Sequence, residues 1–133
     1  MPVRRRTWLL VVGAALAWLR PFRVLVAGES MAPTLSTGDR LVVARPGHLR
    51  RGHVVVVRPP GSRVEMVKRI AGTPGDRVEL GPGGAWTLGP EEYLVLGDNP
   101  EASTDARSFG PVPRSAIAGR VVLRYRPRPG LVR

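Results

Sequence analysis

The sequence predicts an all-β fold, a compact β-barrel or sandwich, preceded by one N-terminal helix. Short apolar or alternating runs recur from Val24 onward, and no helical pattern follows residue 20. The 16 glycines and 14 prolines are spread between those runs as turn residues and form no low-complexity tract. A length of 133 residues leaves room for one such domain and a short extra segment.

The first organised feature is a charge-free run near the N-terminus. Thr7–Leu19 carries no charge and lies between Arg4–Arg6 and Arg20. As a helix this run spans about 20 Å, so crossing roughly 30 Å of hydrocarbon requires the stretch that continues to Val26. We predict a basic flank and transmembrane anchor in residues 1–23, with the basic start in the cytoplasm. A cleaved signal peptide and an ordinary buried helix stay open as alternatives.

About eight later runs have the patterns of strands. The run "HVVVVRP" is apolar at four successive positions, which is typical of a strand buried on both faces. The turn "GPGG" separates two short runs and predicts a hairpin. The predicted strands are Arg23–Gly28, Arg40–Arg45, His53–Pro59, Arg63–Gly72, Arg77–Leu80, Ala85–Leu88, Glu92–Gly97 and Gly119–Arg126. They define a β domain at residues 24–126 and leave residues 127–133 as a loose tail.

Charge and cysteine content limit the possible functions. The chain has no cysteine, which excludes disulfides, thiol catalysis and Cys-based metal sites. Its net charge of +11 fits solvated surface arginines, attraction to anionic lipid headgroups, or nucleic-acid binding. Aromatic residues make up only 5% and do not alternate with the arginines, which argues against nucleic acid. We therefore expect no nucleic-acid partner, no cofactor and no metal.

Lys68 is the only lysine among 21 lysine and arginine residues. Alternate residues of a strand share a face, so Lys68 lies in an apolar row with Met66 and Ile70. Burial disfavours the charged amine, and lowering its pKa from about 10.4 to near 7 requires roughly 4.6 kcal/mol. Arginine stays charged under such conditions. Lys68 is therefore either a general base or a lysine whose stem packs while its head reaches water or an acid.

A general base needs a nucleophile, and Ser30 is the candidate. It lies in "GESMAPTLSTGD" after a predicted strand, in a stretch with no helical pattern. Clusters of Ser, Thr and Pro are commonly plain loops, so position alone does not decide its role. A Ser-His-Asp arrangement would have to use His48 or His53, which lie in a predicted connection between strands.

Four blocks in order resemble the type I signal peptidases (leader peptidases), which are membrane-anchored serine proteases with a Ser–Lys dyad. The blocks are "SMAPTL" (Ser30–Leu35), "GDRLVV" (Gly38–Val43), "KRIAGTPGD" (Lys68–Asp76) and "GDNPEASTDARSFG" (Gly97–Gly110). The resemblance implies that Ser30 is the nucleophile and that neutral Lys68 is its general base. It also implies that the backbone N–H of Ser30 donates to the oxyanion.

The resemblance assigns supporting roles to five further residues. Ser103 matches the serine that hydrogen-bonds to the lysine and orients it. Met31 would line the first substrate pocket. The residues expected to brace the site by charged hydrogen bonds are Asp98, Asp105 and Arg107.

Three positions depart from the family pattern. Gly28 stands where some members carry a hydroxyl that helps to bind the oxyanion, Ala106 replaces a serine, and His53 replaces a common aspartate. The short stretch between Asp76 and Gly97 also lacks the large inserted β domain of longer members. We expect the oxyanion to rely on backbone groups or water.

The resemblance implies a membrane-anchored, extracytoplasmic endopeptidase. It would cleave exported preproteins after small residues in an A-x-A pattern, with membrane phospholipid as its other partner, and we expect a monomer. A dedicated propeptide protease of the nickel superoxide dismutase maturation type is an alternative. A non-catalytic basic β-barrel that binds nucleic acid or lipid is another.

Overall fold

The computed structural model describes residues 9, 10, 12–14 and 20–133. Most of the predicted anchor in residues 1–23 lies outside the described residues. The described residues before residue 20 are helical and exposed. Within the described ranges, no helix combines the length and the apolar character needed to cross a bilayer. The transmembrane helix stays a prediction.

From Phe22 onward the chain is mostly β, which confirms the all-β prediction. The strands are β1 (Phe22–Leu25), β2 (Arg40–Ala44), β3 (Val54–Val57), β4 (Met66–Gly72), β5 (Arg77–Glu79), β6 (Ala85–Thr87), β7 (Glu92–Leu96), β8 (Val112–Pro113), β9 (Ile117–Arg126) and β10 (Gly130–Leu131). Seven of them form an antiparallel sheet in the order β1-β2-β9-β3-β4-β7-β8, and β10 adds to β9. The β5–β6 pair is the predicted hairpin. In the described residues β1 and β8 are the two edge strands of this curled sheet and do not pair with each other. The sheet is therefore open and does not close into a barrel.

Two local features differ from the sequence-based expectations. A one-turn helix, α1 (Ala106–Phe109), forms where no helical pattern exists, because the Asp105 side chain accepts from Arg107 N and caps it. So short an element has no apolar repeat to detect. In the predicted loose tail, β10 pairs with β9, with Leu131 opposite Leu123.

The core lies on both faces of the sheet. All four valines of β3 are buried, as the apolar run predicts. Because side chains alternate along a strand, Val54 and Val56 enter one cluster while Val55 and Val57 enter the other. Leu41 belongs to the first cluster. A third, smaller cluster packs beneath the β5–β6 hairpin and consists of Leu88, Leu94 and Ala106 with their half-buried neighbours.

We predict that Leu41→Ala lowers the free energy of unfolding by about 2–5 kcal/mol, because a fully buried side chain leaves a cavity. The matched control is Leu131→Ala, since Leu131 is 70% exposed and should change stability by less than about 0.5 kcal/mol. Denaturant unfolding followed by circular dichroism measures both. Equal losses for the two variants would contradict the placement of the core.

Candidate active site

Ser30 lies in the loop that joins β1 to β2, residues 26–39, called here the Ser30 loop. Backbone hydrogen bonding closes its base, since Val26 N donates to Asp39 O at 2.9 Å. Gly28 has a φ of +86°, a conformation that residues with side chains rarely adopt. The turn geometry thus gives a physical reason for a glycine at this position.

The Ser30 loop is fixed by packing and by hydrogen bonds. Met31 and Leu35 are buried in the first core cluster. Asn99 holds the loop from the other side, because its backbone N donates to Ser30 O at 2.9 Å and its Nδ2 donates to Glu29 O at 3.1 Å. The hydroxyl of Ser30 therefore sits on an ordered turn, not on a free loop.

The structure brings Lys68 to Ser30. Lys68 lies on β4 opposite Val55 of β3 and is only 3% exposed. Its row on the strand is the buried one, as the alternation predicts, since Ile70 is buried as well. Lys68 Nζ donates to Ser30 Oγ across 2.9 Å. A nucleophile and a potential base are thus in direct contact.

The surroundings of Lys68 favour its neutral form. Burial is the main cause that lowers the pKa of its amine from the ordinary value of 10.5. The carboxylate of Asp105 acts in the opposite sense, and the guanidinium of Arg107 lowers the pKa again. The two charges oppose each other, so desolvation decides the direction of the shift.

Asp105 is a buried carboxylate that collects several donors. Gly97 N and the Ser103 hydroxyl each donate to Oδ2 at 2.8 Å, and Arg107 Nε donates to Oδ1 at 2.9 Å. Arg107 Nη2 also donates to Oδ2. Burial alone would raise the pKa of Asp105, but these hydrogen bonds outweigh it and lower the pKa to about 2. Asp105 is therefore ionised under ordinary conditions.

Gly97 was not predicted as a site residue. It lies where Ser103 and the backbone of Ser30 come close together. A Cβ on Gly97 would lie 2.1 Å from Ser103 Oγ and 2.6 Å from Ser30 O, so no other residue fits without movement. Ser103 therefore lies close to the Ser30 backbone, while the hydrogen bond described for its hydroxyl goes to Asp105. Its predicted hydrogen bond to Lys68 stays a prediction.

Asp98 joins three parts of the site. Arg69 Nε donates to its Oδ1 at 2.8 Å, Arg69 Nη2 donates to its Oδ2 at 2.7 Å, and Thr34 Oγ1 also donates to Oδ2 at 2.7 Å. The hydrogen bonds from Arg69 are the main cause that lowers the pKa of Asp98. Arg69 and Thr34 were not predicted as site residues; the one available signal was that Arg69 follows Lys68 on the opposite face of β4.

A cavity of about 220 Å³ opens beside the Ser30 hydroxyl. Its lining is mostly apolar and consists of Val24, Leu25, Val26, Ala27, Ser30, Met31, Val56, Val64, Glu65, Met66, Val67 and Lys68. Met31 is one of these lining residues, although it is almost fully covered, and its contact with substrate stays a prediction. Within the described part of the chain, no group of three or more His, Cys, Asp or Glu residues is placed to hold a metal ion.

We predict that Asp105→Asn destabilises the protein most at neutral pH. The lowered pKa of Asp105 contributes stability that is present above the ordinary value of 3.8 and is lost as the pH falls through about 2. The stability difference between wild type and variant should therefore shrink over that interval, as measured by denaturant unfolding at several pH values. The exposed change Glu101→Gln is the control. A difference that does not vary with pH would contradict the ionised, hydrogen-bonded carboxylate.

Comparison with known proteins places this geometry in a family. A model of the family described as "Signal peptidase, peptidase S26" matches residues 5–85 and 81–126. The chain is 43% identical over 115 residues to the mitochondrial ATP-independent inner membrane protease subunit 1a of Arabidopsis thaliana, covering 77% of this chain and 68% of the relative.

Bacterial relatives match over a similar part of the chain. Signal peptidase I of Leptolyngbya laminosa is 32% identical over 136 residues, covering 77% of this chain and 67% of the relative. Signal peptidase IB of Staphylococcus aureus is 30% identical over 146 residues, covering 77% of this chain and 76% of the relative. The matched residues include Ser30, Lys68 and the block Gly97–Gly110. The chain therefore belongs to the signal peptidase family, peptidase S26.

Proposed function

We propose that this protein is a serine endopeptidase that releases signal peptides from exported preproteins, with Ser30 as nucleophile and Lys68 as general base. The observation that carries the proposal is the 2.9 Å contact between Lys68 Nζ and Ser30 Oγ, made by a lysine that is 3% exposed. A neutral amine at this distance can accept the hydroxyl proton. Membership of the signal peptidase family supports the same reading.

The chemistry follows the logic of a serine protease with lysine in place of histidine. Lys68 Nζ takes the proton of Ser30 Oγ as that oxygen attacks the scissile carbonyl carbon. The backbone N–H of Ser30 donates to the oxyanion, and Gly28 adds no side-chain donor. The ammonium of Lys68 then protonates the leaving amine, and a water molecule, activated by Lys68, hydrolyses the acyl-enzyme.

The residues around the dyad act as positioning groups. The Asp105 carboxylate is held by Arg107 and receives the Ser103 hydroxyl, which keeps Ser103 beside the dyad. Asp98 ties β4 to the Ser30 loop through Arg69 and Thr34. These charged hydrogen bonds limit the relative movement of nucleophile and base.

Two free strand edges support an extended peptide as substrate. In the described residues β1 has a strand neighbour on one side only. The second free edge is the start of β4, Met66–Lys68, because β7 pairs with β4 only from Arg69 onward. An extended peptide can add to such edges by backbone hydrogen bonds. The small apolar cavity beside Ser30 favours small side chains, as in an A-x-A pattern.

We place the catalytic domain outside the cytoplasm, at the membrane. The charge-free run before Arg20 and the names of the relatives, which include inner membrane proteases, support this location. A tethered enzyme meets membrane-held substrates at a raised effective concentration.

Lys68→Arg should lower kcat/KM for an A-x-A peptide by about 10²–10⁴-fold, because arginine keeps its proton and cannot act as a base. Cleavage of a fluorogenic peptide in detergent measures this. The control is Arg77→Lys, which replaces arginine by lysine at an exposed position on the β5–β6 hairpin and should leave kcat/KM unchanged. Turnover by Lys68→Arg close to that of the wild type would refute the assignment of the base.

The pH profile gives a second test. Activity requires a neutral Lys68, so it should fall as the pH drops through the pKa of that amine, which lies below 10.5. Arg107 lowers this pKa, so Arg107→Gln should raise it and move the acid limb of kcat/KM to higher pH. Arg77→Gln should leave the limb in place. A purely structural role for Arg107 predicts lower activity with an unmoved limb.

A further inference from the structure

A second concave surface lies on the part of the sheet formed by β1, β2 and β9. Three arginine side chains surround a tyrosine there. The arginine cradle, as it is called here, consists of Arg23, Arg40, Arg126 and Tyr125. These residues and Val42 line a cavity of about 370 Å³. The cavity is therefore basic, and it is separate from the Ser30–Lys68 pair.

Strand register places the three arginines on one face. Arg40 lies opposite Leu25 on β1 and opposite Arg126 on β9, and directly opposed residues share a face. Arg23 is two residues before Leu25, so it shares that face too. The guanidinium of Arg23 also lies over the ring of Tyr125, 5.8 Å from its centroid. The fold thus brings together charges from three strands.

No carboxylate neutralises the arginine cradle. All ten acidic side chains of the sequence fall within residues 20–133, which the structure describes. The ion pairs among these residues engage Arg58, Arg69, Arg77, Arg107 and Arg124, and none engages a cradle arginine. Like charges placed together repel one another unless an anion binds between them. An anion from outside the chain would therefore bind favourably between them.

The surroundings favour a lipid phosphate over a soluble anion. Leu25 and Leu131 are 63% and 70% exposed. Leu25 lies opposite Arg40, and Leu131 lies opposite Leu123, which a register shift in β9 places opposite Val42, on the same face as Arg40. Exposed leucine beside arginine is typical of a surface that lies in a bilayer interface. Nucleic acid would need aromatic stacking platforms, and Tyr125 is half-buried with Arg23 over its ring.

We propose that the arginine cradle binds the phosphate groups of anionic phospholipids while Leu25 and Leu131 enter the headgroup region. Guanidinium groups suit this ligand because they donate paired hydrogen bonds to phosphate oxygens. The site is distinct from the catalytic dyad, so it can exist whether or not the proposed peptidase mechanism is correct.

The test uses the full chain and two triple variants of equal charge. The cradle variant is Arg23→Gln/Arg40→Gln/Arg126→Gln, and the control variant is Arg51→Gln/Arg77→Gln/Arg120→Gln, all at exposed positions. Sedimentation with vesicles of phosphatidylcholine, with and without phosphatidylglycerol, measures partitioning. We expect the cradle variant to lose about fivefold per arginine, on the order of 100-fold in total, on anionic vesicles only. The control variant should lose much less.

Three outcomes would overturn the proposal. Equal losses in both variants would show that net charge alone drives partitioning. Displacement of wild-type protein by inorganic phosphate at constant ionic strength would identify a soluble phosphate as the ligand. Loss of RNA affinity in the cradle variant, with unchanged vesicle binding, would identify nucleic acid instead.

Unchanged thermal unfolding is expected for the cradle variant, and unchanged peptide cleavage in detergent is expected for the double variant Arg40→Gln/Arg126→Gln, which leaves β1 intact. These two readouts separate a failed lipid site from a failed fold or a failed peptidase mechanism. If neither the wild type nor any variant cleaves a soluble peptide, the peptidase proposal fails. The vesicle experiment still shows whether the arginine cradle binds lipid.

Discussion

The burial of one amine beside one hydroxyl is the constraint on which the site depends. Lys68 is covered by the sheet, and this desolvation lowers the pKa of its amine. Such burial costs stability, because below the ordinary pKa of 10.5 the unfolded chain binds the proton more readily than the folded protein does. The apolar clusters on both faces of the sheet offset that cost, and β3, which pairs with β4, contributes to both. Lys68 thus lies beside the fully buried strand of the sheet.

The two carboxylates of the block Gly97–Gly110 differ in their surroundings, because they have different partners. Asp105 is enclosed by Gly97, Ser103 and Arg107, and its charge is balanced locally. Asp105 and Arg107 have opposite effects on the pKa of Lys68, so burial sets the direction in which this pKa shifts. Asp98 instead forms a two-point contact with Arg69 and receives Thr34, so it joins separate chain segments. One carboxylate balances charge near Lys68, and the other ties Arg69 to the Ser30 loop.

Strand β1 connects the two surfaces discussed here. Val24 and Leu25 line the cavity beside Ser30 and also line a basic concavity with Arg23, Arg40 and Tyr125. A peptide added to the edge of β1 would therefore lie next to the arginine cradle. If the cradle rests on a lipid surface and a substrate peptide adds to β1, this strand is held at the level of the headgroups. Substrate docking and membrane contact would then share one rigid element.

The sequence by itself determined the local patterns and predicted a chemistry. The strand runs, the buried β3 and the face of Lys68 follow from side-chain alternation, and the blocks around Ser30 and Lys68 predict a dyad through resemblance. Element α1 and strand β10 escaped prediction because a capped single turn and a two-residue strand carry no periodic signal. Only the tertiary structure decided that Arg69 faces Asp98, that Gly97 admits no side chain, and that three arginines distant in sequence share one face. Such contacts depend on strand order and register, which long-range packing sets and a single sequence does not display.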